Sequence, residues 1–342
     1  MQPVVSISKS NIVNNYNYIK TLDKDVSIFG VVKANAYGHG VIQVCNILNE
    51  AGIDGFCVAL ISEVKKLRNN GVNNKILHIG KFSYQDLELF TDGDTYCTIN
   101  SIDDIDCIAK FTSDTDKKVF AHIKFDTGMT RMGSYFESYK EVINLASTLN
   151  DLVVHGLFSH LSDADGKTNI FMDEQLEKFD IIRDYAESTL KDLKYIHIGN
   201  SSTLLKKYQH KCNTIRLGIS LYGINPLGDI NNKLKPAMKF FAPVVEIKKV
   251  KEGASIGYNR KYIAKKDMKV AMVQAGYADG VPTQFCNTCF VEYSGTLLKV
   301  LGKISMDLFC IDCSETNIKI GENVIIWGGE NNRVEHHSKL IK

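Results

Sequence analysis

The stretch VSIFGVVKANAYGHG, residues 26–40, runs from Val26 to Val32 without a charge and then meets Lys33. A short apolar run of this kind suits a strand buried on both faces. Beyond it, Asn35, Tyr37, Gly38, His39 and Gly40 make a polar, glycine-containing loop. Lys33 therefore stands where a strand ends and a loop begins. An ammonium at the mouth of an apolar strand asks for a chemical reason.

Working outward, runs of the same texture recur at GFCVAL (55–60), KILHIG (75–80), TYCTI (95–99), KVFAHIKF (118–125), VVHGLFSH (153–160), YIHIG (195–199) and TIRLGIS (214–220). Spacers such as GHGVIQVCNILNEAG and NIFMDEQLEKFDIIRDYAESTLKDL place apolar residues at three- and four-residue intervals, the period of an amphipathic helix. Eight strand–helix alternations predict an α/β fold, a (β/α)8 TIM-type barrel rather than an open sheet. After about residue 228 the texture changes to FAPVVEIKKVKEGASIGY, MKVAMVQAGYADG, CFVEYSGTLLKVLGKISMDLFCIDC and ENVIIWGG, strands joined by turns with little helical period. A mainly antiparallel, all-β domain is expected there. The expected division is a barrel over 9–228 and a β-domain over 229–342, which the N-terminal strand 1–8 joins.

Composition sets limits on function. The chain has 342 residues, 44% hydrophobic and 23% charged, with a formal net charge of +2 and no long basic run, so nucleic-acid binding is not suggested. The N-terminus MQPVVSISKSNIVNNY lacks an apolar core of signal-peptide length, and no stretch approaches the roughly 18 apolar residues of a membrane span. No membrane partner and a cytoplasmic location are expected. Nine cysteines fit a reducing compartment. Cys286 and Cys289, followed by Cys310 and Cys313, match a four-cysteine zinc spacing. Yet SMDLFCIDCS alternates like a strand, where positions three apart face opposite sides, and no glycine bends the chain at CIDCSE. No metal is expected.

In a parallel barrel the polar residues at the C-terminal strand ends are the candidates for chemistry. Those ends offer Lys33 and Tyr37, then Lys124, Asp126 and Arg131, then His160, then Asn200, Ser201 and Ser202, and finally Arg216 and Gly218. The set is cationic and hydroxylic. It suits an anionic phosphate together with an aldehyde-type cofactor, which needs an amine to condense with.

At this point the motifs resemble a family. VVKANAYGHG is similar to the pyridoxal-phosphate lysine motif of alanine racemases, and KFDTGMTRMG (124–133), GLFSHLSDAD (156–165), HIGNSS (197–202), IRLGISLYG (215–223), GYADG (276–280) and KISMDL (303–308) follow in the family's order. The resemblance covers nearly the whole chain. It implies pyridoxal-phosphate-dependent racemisation of L- and D-alanine or a similar small amino acid by two bases, supplying D-alanine for peptidoglycan.

The resemblance also implies roles, residue by residue. Lys33 would carry the cofactor and act as the base on one face. Tyr37, Ser201, the neighbouring Asn200 and the backbone amides at Gly218 and Ile219 would cradle the phosphate. Arg216 would face the pyridine nitrogen, oriented by His160. Because arginine keeps its proton, the ring would stay neutral and quick reprotonation would win over side reactions. Arg131 would reach the cofactor's phenolic oxygen and the substrate carboxylate, and Lys124 is the position that carries a carbamate in many members. Tyr258 would be the second base; a phenol serves so only where cations stabilise its anion. Tyr258, with the backbone amide of Met306, would act in the neighbouring subunit's site, so a homodimer is implied.

Three features depart from the family pattern. Asn259 stands where glycine usually follows the catalytic tyrosine, and Val281-Pro282-Thr283 stands where an arginine is usual. The sequence ends at EHHSKLIK, ahead of the family's T-x-x-Y-E segment, through a shortened chain or a branch that dispenses with it. Two rivals share the barrel. Amino-acid decarboxylases on this architecture use a cysteine where GYNRKY offers a tyrosine, and non-catalytic pyridoxal-phosphate carriers resemble the barrel alone.

Overall fold

The computed structural model describes residues 2–228 and 233–340. They form two compact units, Ile12–Leu234 and a second made of Met1–Asn11 with Lys235–Lys342.

In the first unit, eight parallel strands follow one another around a nearly closed barrel. Thr214–Leu217 lies beside Ser27–Val31, and the order continues through Gly55–Val58, Lys75–His78, Thr95–Ile99, Val119–Asp126, Leu152–Phe158 and Tyr195–His197. On the closing side Arg216 N donates to Gly199 O at 3.3 Å. Each strand coincides with one of the apolar runs in the sequence. The reason is burial on both faces: every residue of Gly55–Val58 and of Thr95–Ile99 is buried. Helix Val41–Glu50 lays Val41, Val44, Cys45 and Leu48 inward, and Ile170–Thr189 does the same with Met172, Phe179, Ile182 and Ala186. Not every crossover is an α-helix. Tyr84–Phe90 is a 3-10 helix, and only the five-residue helix Ser201–Leu205 precedes the last strand.

The barrel interior is aromatic. Phe29, Leu77 and Tyr96 pack with Phe120 and Tyr195, and above this layer His122 and His197 are fully buried. Gly156 makes room for the first of them, since a Cβ there would lie 2.3 Å from His122 Nδ1.

The second unit is an antiparallel circuit. The long strand Met238–Val250 pairs along Phe240–Pro243 with Asn323–Trp327 and along Val244–Val250 with Met268–Val273. From there the pairing passes through Phe309–Asp312, Thr296–Leu301 and Phe290–Tyr293 back to Asn323–Trp327. Val4–Ile7 adds to Met238–Val250, Val4 opposite Phe241 and Ile7 opposite Met238. Phe240, Val244, Val273, Val291, Val300, Phe309 and Ile326 fill the core. This mainly antiparallel domain, as expected, also carries the short α-helix Val334–Leu340, and His337 from it stacks on Phe285 at 4.5 Å.

Candidate active site

A pocket of about 380 Å³ opens at the C-terminal ends of the barrel strands. Lys33, Tyr37, Lys124, Arg131, His160, Asn200, Ser201, Ser202, Arg216, Gly218 and Ile219 all line it, whereas Asp126, the other strand-end candidate, does not. Four of them are cations, and Asp165 is the one carboxylate among the described lining residues. Such a pocket is built for an anion.

Lys33 enters this pocket from an unusual backbone. Ala34, Asn35, Ala36 and Tyr37 all have φ between 53° and 55°, followed by Gly38 at 83°. This is a left-handed turn made of residues with side chains, closed by Gly38 N to Ala34 O at 3.1 Å. At about 1–2 kcal/mol per residue, four such residues store roughly 4–8 kcal/mol. Surrounding contacts hold them: Asn35 Oδ1 accepts from Val41 N at 3.0 Å, and His39 Nδ1 lies 3.1 Å from both Ala36 O and Tyr37 O. Strain of this kind concentrates at functional sites.

Tyr37 leaves the turn toward Gly218. A Cβ on Gly218 would stand 3.1 Å from the Tyr37 hydroxyl, so glycine keeps a cradle open beside it. Burial raises the Tyr37 pKa, which keeps the hydroxyl a neutral donor. Gly218 also starts the turn Ile219–Tyr222, whose first N–H groups have no partner within the turn. Opposite, Asn200 Oδ1 caps the next turn by accepting from Ser202 N at 2.9 Å, which fixes Ser201 at the pocket wall. Hydroxyls and free amides around a gap are what a phosphate group needs.

Arg216 is buried, and its terminal nitrogens are fully engaged. Nη1 meets His197 Nδ1 at 2.6 Å and donates to His197 O at 3.0 Å; Nη2 donates to Ser159 O at 2.7 Å and meets His160 Nδ1 at 3.0 Å. These contacts leave Nε–H as its remaining donor. Burial lowers the guanidinium pKa to about 10, still charged at neutral pH. Since arginine only donates, both imidazoles must accept through Nδ1 and carry their proton on Nε2. For His197 that proton points along the 2.9 Å contact to His122 Nδ1, which fixes the His122 proton on Nε2 in turn. His122 Nε2 has no partner among the described residues. Burial first, then neighbouring charge, drives the His122 and His197 pKa values well below the ordinary range and that of His160 down to about 3. The guanidinium is therefore anchored by neutral rings of fixed tautomer.

The Phe158 ring stacks on His197 at 4.8 Å and lies 5.7 Å from Lys124 Nζ. Burial, then the charges of Arg131 and Arg216, brings the Lys124 pKa down to about 8, an effect that the charge of Asp126 only partly opposes. Asp126 organises the loop that follows. Burial opposes its charge, but bonds from the backbone N–H groups of Gly128, Met129 and Arg131, at 2.8, 2.8 and 3.1 Å, outweigh it and hold its pKa low. That loop delivers Arg131 to the pocket.

Tyr258 and Met306 belong to the other unit and are exposed, at 66% and 60%. Tyr258 sits in the turn between the short strands Ser255–Ile256 and Tyr262–Ile263. Asn259 there has φ 56°, a left-handed conformation that asparagine tolerates better than most residues with a side chain. The departure from glycine at this position is thus accommodated. Met306 O accepts from Ala278 N at 3.0 Å, which ties KISMDL to GYADG. Cys289 and Cys313 pack in the main core of this unit and Cys310 in a separate cluster, with burial raising all three thiol pKa values.

Sequence reading passed over His122 and His197. The signal was present: His122 and Lys124 lie two apart in one strand and therefore share a face.

Comparison with known proteins agrees with this geometry. The sequence model for the alanine racemase N-terminal domain matches residues 7–226, and that for the C-terminal domain matches residues 237–342. Alanine racemase 2 of Caldanaerobacter subterraneus subsp. tengcongensis is 33% identical over 329 residues, covering 95% of this chain and 85% of its own. The structure of alanine racemase from Clostridium difficile 630 superposes with a TM-score of 0.90 at 30% identity, over 100% of this chain and 90% of that one. Alanine racemase from Bartonella henselae, solved with covalently bound pyridoxal phosphate, gives 0.87 at 25% identity over 100% and 97%. Both family models and the relative at 33% identity agree, and the chain belongs to the alanine racemase family.

Proposed function

We propose that the chain is an isomerase that interconverts L- and D-alanine with pyridoxal 5'-phosphate, providing D-alanine for peptidoglycan. The observation that carries this reading is the pocket itself, where Lys33, an open phosphate cradle and an arginine anchored by imidazoles of fixed tautomer meet. The fit to the cofactor rests on two features: the space beside Tyr37 that a Cβ at Gly218 would fill, and the single unengaged N–H of Arg216.

Lys33 would bind the cofactor through Nζ, and Tyr37, Asn200, Ser201 and the amides of Gly218 and Ile219 would hold its phosphate. When bound, pyridoxal phosphate supplies an electron-withdrawing ring that makes the α-proton of an attached amino acid removable. Arg216 would offer its Nε–H to the ring nitrogen, and its pKa of about 10 keeps that proton on the arginine at neutral pH. By holding its own proton, Arg216 would leave the ring nitrogen unprotonated, a setting that favours return of the α-proton over transamination. His160 orients Arg216 through Nδ1. Arg131 would bind the substrate carboxylate. Lys124, whose pKa of about 8 leaves more free amine at neutral pH, is suited to accept carbon dioxide as a carbamate and so become an anionic partner for Arg131.

Racemisation needs a proton donor and acceptor on each face. Lys33 Nζ would serve one and Tyr258 Oη, from a second copy of the chain, the other. The exposure of Tyr258 and Met306 supports their use by a partner in a homodimer. All nine cysteines are free thiols, which suits a cytoplasmic enzyme.

Chiral analysis tests the reading. Pure L- or D-alanine incubated with the cofactor-loaded chain should each drift to an equal mixture, and Lys33→Ala should abolish this. Retained configuration would refute racemisation; an amine with released carbon dioxide would indicate a decarboxylase.

A further inference from the structure

We propose that Glu63 is a positioning residue for Lys33, an inference that rests on the racemase reading of the pocket. Glu63 is the third residue of helix Ile61–Asn69 and has an ordinary task there. Its Oε2 accepts from Ala59 N at 2.9 Å and Leu60 N at 3.1 Å, satisfying amides at the helix start. Its other oxygen does something a capping residue does not need to do. Oε1 accepts from Ala34 N at 2.6 Å, across 29 residues of sequence.

Ala34 is both the neighbour of Lys33 and the first residue of the left-handed turn. The N–H groups that open a helical turn have no partner inside it, whatever its hand. Here Ala36 N reaches Val32 O at 2.8 Å, whereas Ala34 N is served by Glu63. The plane of the Lys33–Ala34 peptide sets φ of Ala34 and the direction in which the Lys33 side chain departs. Asn35 and His39 brace the later part of the turn, and Glu63 grips it on the lysine side. One carboxylate thus clips the ends of two adjacent barrel strands, Ser27–Val31 and Gly55–Val58, with a charge-assisted bond at the residue next to the reactive amine.

The test separates this from helix capping. In E63Q an NH2 replaces one oxygen and must face a backbone N–H. In L60D/E63Q an aspartate at the exposed N-cap restores the cap but cannot serve Ala34. Full-length protein is measured for Ala34 amide exchange, thermal midpoint, and the rate at which the cofactor-free chain captures pyridoxal phosphate. E63Q should speed Ala34 exchange and slow capture about tenfold each, the effect of one lost charge-assisted bond. L60D/E63Q should recover the midpoint while exchange and capture stay at the E63Q values. Recovery of capture together with the midpoint would overturn the proposal, and so would unchanged Ala34 exchange in E63Q. Failure of the racemase reading would show instead as absent alanine turnover in the parent chain, with the Ala34 exchange difference intact.

Discussion

Replacing His122 with phenylalanine should invert the usual pattern of a core substitution. At neutral pH the change removes one buried, unpartnered group, His122 Nε2–H, and creates another, because His197 Nε2–H loses its acceptor. Each such group costs about 1–3 kcal/mol, so the two nearly cancel. The contacts of the ring with Tyr96 and Tyr195, at 4.8 and 5.5 Å, are kept by another aromatic. Stability at pH 7.5 should therefore change by no more than about 1 kcal/mol. Below pH 6.5 the balance shifts. There the unfolded chain takes up a proton at His122 that the folded chain refuses, since burial and the nearby charge of Arg216 hold its folded pKa far lower. Stability contributed by this group is complete above 6.5 and falls by about 1.4 kcal/mol for each unit below it. The variant has no such group. At pH 5.5 it should be more stable than its parent by about 1.4 kcal/mol relative to their difference at pH 7.5. Urea unfolding at fixed protein concentration from pH 7.5 to 5.5 reads the effect directly. A stability difference that stays constant across this range would refute the tautomer chain.

If Tyr258 serves a neighbouring subunit, Lys33→Ala and Tyr258→Phe chains mixed and re-dimerised should regain about a quarter of parental activity, because roughly half the dimers are mixed and each has one intact site of two; no recovery would place both bases on one chain. Lys124, with its pKa near 8, has about 300-fold more free amine at neutral pH than an ordinary lysine, so ¹³C-bicarbonate should give a carbamate resonance that Lys124→Met lacks. Without bicarbonate, the folded chain sheds the Lys124 proton before the unfolded chain does, so stability read by urea unfolding should rise with pH between about 8 and 10.5 and level off above that.

Much of the barrel was legible because parallel strands are covered on both sides. Phe29, Cys57, Leu77 and Tyr96 belong to short, mostly apolar runs that suit strands covered on both sides. The polar residues that end those runs, Lys33, Lys124, His160 and Arg216, were legible for the same reason. What escaped was information that residue type does not encode. Ala34 and Ala36 favour right-handed helix, and nothing in KANAY announces a left-handed turn. His122 and His197 read as strand alternation, and their link through Arg216 exists only once three strands are side by side. Nothing in the sequence singles out Glu63, because its contact with Ala34 spans two βα units. The closing helix Val334–Leu340 is too short for periodicity to reveal it.

The left-handed turn also bears on the order in which the molecule assembles. Local preference opposes it at Ala34, Asn35, Ala36 and Tyr37, so it cannot nucleate by itself during folding. Its fasteners come from elsewhere: Val41 at the start of the next helix, and Glu63 beyond the second strand. Those partners must be in place first, and the segment then closes in a late step onto a barrel that is already formed. Mutations that weaken its fasteners should accordingly hasten unfolding and leave the folding rate almost unchanged. Such a chain would give a well-folded barrel whose lysine is not yet set for its work, which makes maturation of the site separable from maturation of the fold.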